Sequence, residues 1–267
     1  MKIGFVGTGN MGAALAGAVA KACPEAELYL ADFDSAKAAA LAEKLGGKTG
    51  DNKTLCRLCD LVFLGVKPQV LPALLEEIAP TVQERGEEIT VVSMAAGVAK
   101  AQILKGLGEK TPVIRIMPNT PVSLGKGVIV YDTENVSSEK EEAFVRSLRE
   151  AGIVEKLAEE KIDAACALHG SGPAYVYLFV EALADGGVHC GLSREAALRF
   201  AAATVSGAAE MVLQTGKHPG ELKDAVTSPA GTTIEAVRVL EEAGFRGAVM
   251  DAVIAAYEKA CLLGKKA

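Results

Sequence analysis

Short apolar runs separated by stretches with helical spacing dominate the first 160 residues. The runs at residues 2–6, 27–31, 61–66, 90–93, 113–117 and 127–131 read as strands. Between them, segments such as 11–22 and 35–45 repeat apolar residues with a helical period. This alternation predicts parallel strands joined by crossover helices, an N-terminal Rossmann-type α/β domain built on a doubly wound, mostly parallel sheet. Ser35 is the expected cap of the second helix. From about Ile162 the pattern changes to long alanine-rich helical stretches, with breaks expected at Gly186-Gly187, Gly191, Gly216 and Gly244. Ser193 followed by Glu195 reads as an N-cap with an acidic first turn, and Gly216 as the stop of that helix. The expected organisation is therefore residues 1–160 as the α/β domain and 161–267 as an all-helical domain. Residues 196–212 and 248–263 are apolar over wide faces, more than so small a domain buries against itself, which predicts a homodimer through the helical domain.

Composition narrows the function classes. Half of the 267 residues are hydrophobic, and 28 Lys plus Arg against 34 Asp plus Glu leave a net charge of −6, without the basic excess that nucleic acid or an anionic bilayer would demand. The apolar run from Ala174 to Val180 is interrupted by Glu181 and Asp185, short of the roughly 18 uninterrupted residues of a span, so no transmembrane helix is expected. The opening Met1-Lys2-Ile3-Gly4-Phe5-Val6-Gly7 is broken by glycines too early for a signal peptide, and a cytoplasmic location is expected. Six scattered cysteines do not make a disulfide framework. Cys56 and Cys59 form a CxxC, but no second pair or histidine pair at ligand spacing accompanies it. Packing is the favoured reading over a dithiol or metal site, and no metal is expected.

Gly7-Thr8-Gly9-Asn10-Met11-Gly12 follows the first strand and opens the first helix, the context that makes GxGxxG informative. Gly7 permits the tight turn, Gly9 lets backbone approach a pyrophosphate, and Gly12 allows close helix-to-strand packing at a helix N-terminus rich in free N–H groups. Asp32 lies at the end of the second strand, 20 residues beyond Gly12, where a carboxylate accepts hydrogen bonds from adenosine ribose hydroxyls and repels a 2′-phosphate. This favours NADH over NADPH; the alternative is that Asp32 and Asp34 cap the following helix. Three later strand ends face the same cleft: Gly65-Val66-Lys67-Pro68, Ser93-Met94-Ala95-Ala96-Gly97, and Met117-Pro118-Asn119-Thr120-Pro121. Their small residues leave room for a nicotinamide riboside, and Lys67 and Asn119 offer polar contacts.

In the helical half, residues 170–175 (GSGPAY) and 227–233 (TSPAGTT) stand apart chemically. Thr232 and Glu235 suit a capping box with Thr232 as N-cap. The N–H groups of Gly231, Thr232 and Thr233 near that helix start suit a small carboxylate, with the hydroxyls of Ser228 and Thr233 beside it. Of the three histidines, His169, His189 and His218, none sits in a motif marking a general acid. Hydride transfer to a ketone needs a proton for the developing alkoxide, whereas a protonated imine gives a neutral amine directly, so the site suits an imine.

Together these segments resemble the pyrroline-5-carboxylate reductase family: GFVGTGNMG at 4–12, GVKPQ at 65–69, SMAAGV at 93–98, RIMPNTP at 115–121, GSGPAY at 170–175 and LKDAVTSPAGTTIEAV at 222–237. The resemblance implies reduction of the C=N bond of Δ1-pyrroline-5-carboxylate to L-proline, the last step of proline biosynthesis, with NADPH or NADH. It also implies a Rossmann domain paired with a helical dimerisation domain, in some members assembled further into decamers. By resemblance, Gly65, Val66, Lys67, Pro68, Ala95, Ala96 and Gly97 line the cofactor, and Asn52 matches an asparagine near the adenosine ribose. The loop from Ser228 to Thr233 holds the substrate carboxylate, Thr233 matches the threonine at the ring nitrogen, and in the family dimer this loop reaches a cofactor held by the other subunit.

Three positions depart from the family pattern. Ala230 replaces a glycine, tolerable where φ is negative. His169 occupies a variable position, and Asp32 stands where many members carry hydroxyl or basic residues for NADPH. The rival readings are a reductase of a related cyclic imine, a β-hydroxyacid dehydrogenase-like enzyme, and a non-catalytic dinucleotide sensor. The second would need a lysine that residues 165–175 lack; the third would show a degraded substrate loop, yet Ser228, Gly231 and Thr233 are all present.

Overall fold

The computed structural model describes residues 1–264. The chain divides into two compact units, residues 1–171 together with the segment from Ala256 onward, and residues 172–255. In the first unit the strands are β1 (Lys2–Val6), β2 (Glu27–Ala31), β3 (Lys48–Thr49), β4 (Leu61–Leu64), β5 (Thr90–Ser93), β6 (Val113–Pro118), β7 (Gly127–Glu134) and β8 (Gly152–Lys156). They form one sheet in the order β3-β2-β1-β4-β5-β6-β7-β8. Pairing is parallel from β3 to β6, β7 runs antiparallel to β6, and β8 runs parallel to β7. The helices of this unit are α1 (Asn10–Ala22), α2 (Ser35–Leu45), α3 (Asn52–Leu58), α4 (Leu71–Arg85), α5 (Lys100–Leu107), α6 (Ser138–Ser147) and α7 (Glu159–Ala165).

Alternation along the strands sends side chains to two cores. Ile3, Phe5, Leu61, Phe63 and Val92 pack on one face with Leu15 and Val19 of α1 and Phe144 of α6. Val6, Val62, Leu64 and Val91 pack on the other with Leu55, Leu75, Ile78 and Ile103 of α3, α4 and α5. A sheet covered on both faces demands apolar residues at successive positions, which is why β4 reads Leu-Val-Phe-Leu and is buried throughout. Phe5 and Phe63 stack across neighbouring strands with centroids 4.6 Å apart. Cys56 and Cys59 are completely buried, and desolvation pushes both thiols up to about 12. They are packing residues, and among the described residues no His/Cys/Asp/Glu group could hold a metal ion.

The second unit carries α8 (Gly172–His189), α9 (Arg194–Thr215), α10 (Pro219–Ala225) and α11 (Thr232–Glu242), with α12 (Phe245–Gly264) running out of it. Ser193 caps α9 by accepting from the Ala196 N–H, and Gly216 ends it at φ 64°. His218 caps α10 through Nδ1, which accepts from the Gly220 N–H at 3.1 Å. Gly186-Gly187 does not break a helix: α8 runs through it, and at Gly187 it lies close against α9, where a Cβ would stand 3.2 Å from that of Ala197. Among the described residues this unit buries only Ala184, Ala197 and Ala201, while Leu198, Phe200, Met211 and Leu213 of α9 stay exposed. Among the described residues one helix, α9, holds a stretch long and apolar enough to cross a membrane by length and composition alone, a test that apolar packing helices also pass.

Candidate functional site

The carboxyl ends of β1, β2, β4, β5 and β6 lie along one edge of the sheet, since these strands are parallel. The order reverses between β1 and β4, and there two glycine segments meet. Gly7 turns at φ 94°, and a Cβ on it would stand 2.7 Å from the Gly65 carbonyl oxygen. A Cβ on Gly12 would fall 2.0 Å from the Gly7 carbonyl oxygen, so the first turn of α1 can only lie this close with glycine there. Gly9 is the N-cap of α1, and a Cβ on it would meet nothing within 4 Å. The result is a bare backbone cradle at a helix N-terminus, the shape and polarity a pyrophosphate requires.

Asp32 has a role that sequence spacing alone did not reveal. Its Oδ2 accepts from the Thr8 N–H at 2.6 Å and the Thr8 hydroxyl at 2.9 Å, and its Oδ1 accepts from the Asp34 N–H at 3.0 Å. Partial burial alone would raise its pKa, but the bonds from Thr8 and Asp34 outweigh it and hold the carboxyl below the usual range. Asp32 thus stays ionised and braces the glycine-rich loop. The cap of α2 is Asp34, which accepts from the Ala36 and Lys37 N–H groups, and Ser35 is the first helical residue. A single oxygen, Asp34 Oδ1, accepts both N–H groups, at 3.1 and 3.4 Å, so the residue one position earlier takes the cap. Beside Asp32 opens a cavity of about 410 Å³ whose walls include Ser35, Ala36, Ala39, Thr49 and Gly50.

The other candidates fall on this edge with distinct local ties. Asn52 opens α3 and donates through Nδ2 to Glu77 of α4 at 3.0 Å. Gly65, Val66, Lys67 and Pro68 follow β4 in a turn closed by the Val70 N–H on the Lys67 carbonyl at 2.9 Å. After β5, Ala95 is buried, Ala96 exposed, and Gly97 turns at φ 74°. Asn119 is 7% exposed and engaged at both ends of its amide: Nδ2 donates to the His169 carbonyl at 2.9 Å, and Oδ1 accepts from the Val128 N–H at 2.8 Å. Its side chain therefore ties the end of β6 to β7 and to residues 166–170, which form a π turn closed by the Ser171 N–H on the Cys166 carbonyl. Burial lowers the His169 pKa, and both ring nitrogens are buried without a hydrogen-bond partner.

A buried ion network stands at the outer part of the sheet, unannounced by any motif. Lys100 Nζ donates to Asp132 at 2.7 Å and to Glu134 at 3.2 Å, while Arg115 pairs with Glu159 and Asp163 of α7 at 3.2 and 3.0 Å. It locks α5, β6, β7 and α7 together just before the π turn.

In the helical unit, Ser228 and Gly231 close a turn, the Gly231 N–H bonding the Ser228 carbonyl at 3.1 Å, with Pro229 and Ala230 between. Ala230 has φ 55°, so the alanine is held in the left-handed region that the expected glycine would occupy freely. Gly231 lets the turn pack tightly: a Cβ there would lie 2.3 Å from the Ser228 hydroxyl oxygen, which would have to rotate away, and 3.1 Å from its carbonyl oxygen. The capping box does not form. Gly231 is the N-cap of α11, Thr232 is its first residue, and Glu235 bonds Arg238 instead. The turn enters the helix one residue earlier than the Thr/Glu spacing suggests, which leaves the N–H groups of Thr232 and Thr233 in the first turn.

Comparison with known proteins adds to this geometry. A family model described as pyrroline-5-carboxylate reductase dimerisation matches residues 159–263, and one described as NADP oxidoreductase, coenzyme F420-dependent, matches residues 2–97. The chain is 40% identical to the pyrroline-5-carboxylate reductase of Escherichia coli strain K12 over 99% of its own length and 98% of the relative's. Its fold is similar to the solved pyrroline-5-carboxylate reductase of Coxiella burnetii, with a TM-score of 0.91 and 34% identity over 98% of this chain and 97% of that one. It is also similar to a Plasmodium falciparum pyrroline carboxylate reductase solved with NADP bound, with a TM-score of 0.86 and 32% identity over 99% and 98% of the two chains.

Proposed function

The chain belongs to the pyrroline-5-carboxylate reductase family, and from that membership we propose that it reduces the C=N bond of Δ1-pyrroline-5-carboxylate to give L-proline. The carrying observation is identity of 40% along essentially the whole chain. The protein is an oxidoreductase, and a nicotinamide dinucleotide is its cofactor. When bound, that cofactor supplies the hydride for the imine carbon.

The residues divide the work as follows. The loop from Gly7 to Gly12 binds the pyrophosphate through backbone N–H groups at the start of α1. Gly65, Val66, Lys67, Pro68, Ala95, Ala96, Gly97 and Asn119 surround the nicotinamide riboside, Asn119 by setting the backbone around it. Asn52 and Asp32 serve the adenosine end. Asp32 is held ionised by Thr8 and Asp34, and the nearest cation on α2, Lys37, lies 4.0 Å from Asp34. A fixed negative charge favours ribose hydroxyls over a 2′-phosphate, so NADH is the preferred form. Ser228 and the N–H groups of Thr232 and Thr233 hold the substrate carboxylate, the Gly231 N–H expected there being taken by the Ser228 carbonyl, and the Thr233 hydroxyl orients the ring nitrogen. The substrate brings its own proton as the iminium or gains one on the way. Catalysis by the protein is then mainly positioning and exclusion of water. The exposed apolar faces of α9 and α12 pack against a second copy of the chain, as the matched dimerisation family suggests.

The test is steady-state reduction of pyrroline-5-carboxylate with NADH and NADPH in parallel, following cofactor oxidation. Turnover with NADH preferred supports both the reaction and the role of Asp32. An NADPH preference keeps the reaction and refutes the Asp32 argument, and no turnover with either sinks the proposal in favour of another cyclic imine. Sedimentation of the protein as a monomer at micromolar concentration would refute the dimer.

A further inference from the structure

Helix α5 begins without a cap of its own. Its N-cap is Ala99, which has no side-chain acceptor for the orphan N–H groups of the first turn. The missing acceptor comes from α7. Glu159, the first residue of that helix, sends Oε1 to the Lys100 N–H at 2.8 Å, 59 positions away in sequence, and the same oxygen accepts from Arg115 Nη1 at 3.2 Å. A carboxylate at the positive end of a helix is favourable, and it is screened little here, where the Arg115 side chain is 5% exposed. The Glu159 N–H donates in turn to Asp132 Oδ2 at 3.1 Å, the oxygen that also takes Lys100 Nζ at 2.7 Å. The first residue of α5 is thus held through both its backbone and its side chain. The bonds run on from there: Arg115 Nη2 donates to Asp163 Oδ1 at 3.0 Å, Asp163 lies just before the π turn, and the His169 carbonyl of that turn accepts from Asn119. One chain of bonds and backbone therefore joins the segment after β5 to Asn119 after β6, with Glu159 as its junction.

We propose that Glu159 is a positioning residue for hydride transfer, a cap lent by α7 to α5 that fixes residues 95–99 where they meet the nicotinamide riboside. This rests on the reading of the reaction and cofactor above. Both bonds end on the one oxygen Oε1, so the reach of the side chain carries the role and its charge is secondary. Without it the Lys100 N–H loses its acceptor, the end of the 95–99 segment loses its anchor, and a displacement of about 1 Å at a reacting group can cost about 100-fold in rate.

Reach and charge can be separated. Glu159→Gln keeps the oxygen and drops the charge, Glu159→Asp keeps the charge but falls one methylene short of the Lys100 N–H, and Glu159→Ala has neither. In steady-state reduction of pyrroline-5-carboxylate, kcat should fall at least about tenfold in Glu159→Ala and Glu159→Asp and stay within about threefold of the unmodified protein in Glu159→Gln. With the reduced cofactor deuterated at both C4 positions, the two slow variants should show a full isotope effect on kcat, because hydride transfer has become their slow step. The Kd for ADP-ribose, which lacks nicotinamide, should stay within about twofold in every variant. Unchanged kcat in Glu159→Ala, Glu159→Gln no faster than Glu159→Ala, or Glu159→Asp faster than Glu159→Gln overturns the inference. So does a slow variant without an isotope effect, or ADP-ribose affinity that falls in step with kcat. If thermal melting shows that Glu159→Ala does not fold, the comparison of Glu159→Gln with Glu159→Asp decides by itself. An unmodified protein that binds ADP-ribose but turns over pyrroline-5-carboxylate with neither cofactor fails the reading of the reaction, and the inference falls with it.

Discussion

Ala230 offers a direct test of how much strain the proposed substrate loop carries. Its φ of 55° puts a Cβ-bearing residue in the left-handed region, which costs an L-residue about 1–2 kcal/mol relative to the right-handed one. Ala230→Gly removes that cost. Glycine also widens the unfolded ensemble, which takes back about 0.4–1 kcal/mol. The net expectation is a gain of about 0.5–1 kcal/mol, or a Tm increase of about 2 °C for a chain of this size. Ala243 is the internal control: it sits at the end of α11 with φ −76° and ψ 0°, where an L-residue is unstrained. Ala243→Gly should lose about 0.5–1 kcal/mol. Ala230→Val, with a β-branched residue in the same left-handed position, should lose at least about 1 kcal/mol. Urea unfolding at one fixed subunit concentration separates these cases, since subunit association shifts apparent stability. A parallel loss for Ala230→Gly and Ala243→Gly would refute the reasoning, because it would mean that no left-handed strain is relieved at 230.

Other expectations follow from the same geometry. Thr233→Ala should lower turnover by at least about tenfold while leaving the Kd for NADH within twofold, on the view that its hydroxyl acts on the reacting ring alone; unchanged turnover would remove it from the mechanism. Gly12→Ala places a Cβ 2.0 Å from the Gly7 carbonyl oxygen, and calorimetric titration should find dinucleotide binding weakened by at least about tenfold through distortion of the cradle. Cys56 and Cys59, with thiols pushed up to about 12, should resist alkylation in the native protein at pH 8, whereas exposed Cys190 should react, as mass mapping would report. The Lys100–Asp132 pair should matter most between the acid and alkaline extremes. The lowered Asp132 pKa contributes stability above the ordinary carboxylate range that is lost as pH falls through the folded value, and the raised Lys100 pKa contributes stability lost as pH rises past the ordinary lysine range. Asp132→Asn should flatten the acid limb of a Tm-against-pH profile, and an unchanged limb would show that the pair does not govern it.

Much of the architecture was legible because its causes are local. The run Ile3-Gly4-Phe5-Val6, the glycines at 7, 9 and 12, and the helical period of α1 each depend on neighbours within a few residues. So β1, the turn and α1 can be read in order. The same holds for β2 with Asp32 after it, for Ser193 and Gly216 around α9, and for the apolar excess of the helical half. The two missed strands lacked such a signal. β3 has two residues, and β8 is mostly exposed at the sheet's edge, so neither needs an apolar alternation.

What the sequence determined by itself was which segments become strands and helices, where the phosphate-binding turn lies, and which family the motifs belong to, because periodicity, glycine conformation and motif spacing are properties of contiguous residues. Only the tertiary structure decided what each polar group does. Asp32 reaches Thr8 across 24 positions, Asn119 reaches His169 across 50, and Lys100 reaches Asp132 across 32. These partners meet because the sheet sets β2 beside β1 and β7 beside β6. The cap of α11 and the left-handed Ala230 were settled in the same way, by how the Ser228–Gly231 turn closes and by the oxygen atoms that crowd it. Hydrogen bonds and steric contacts act over a few ångströms, and which atoms lie within that range is fixed only when the chain has folded.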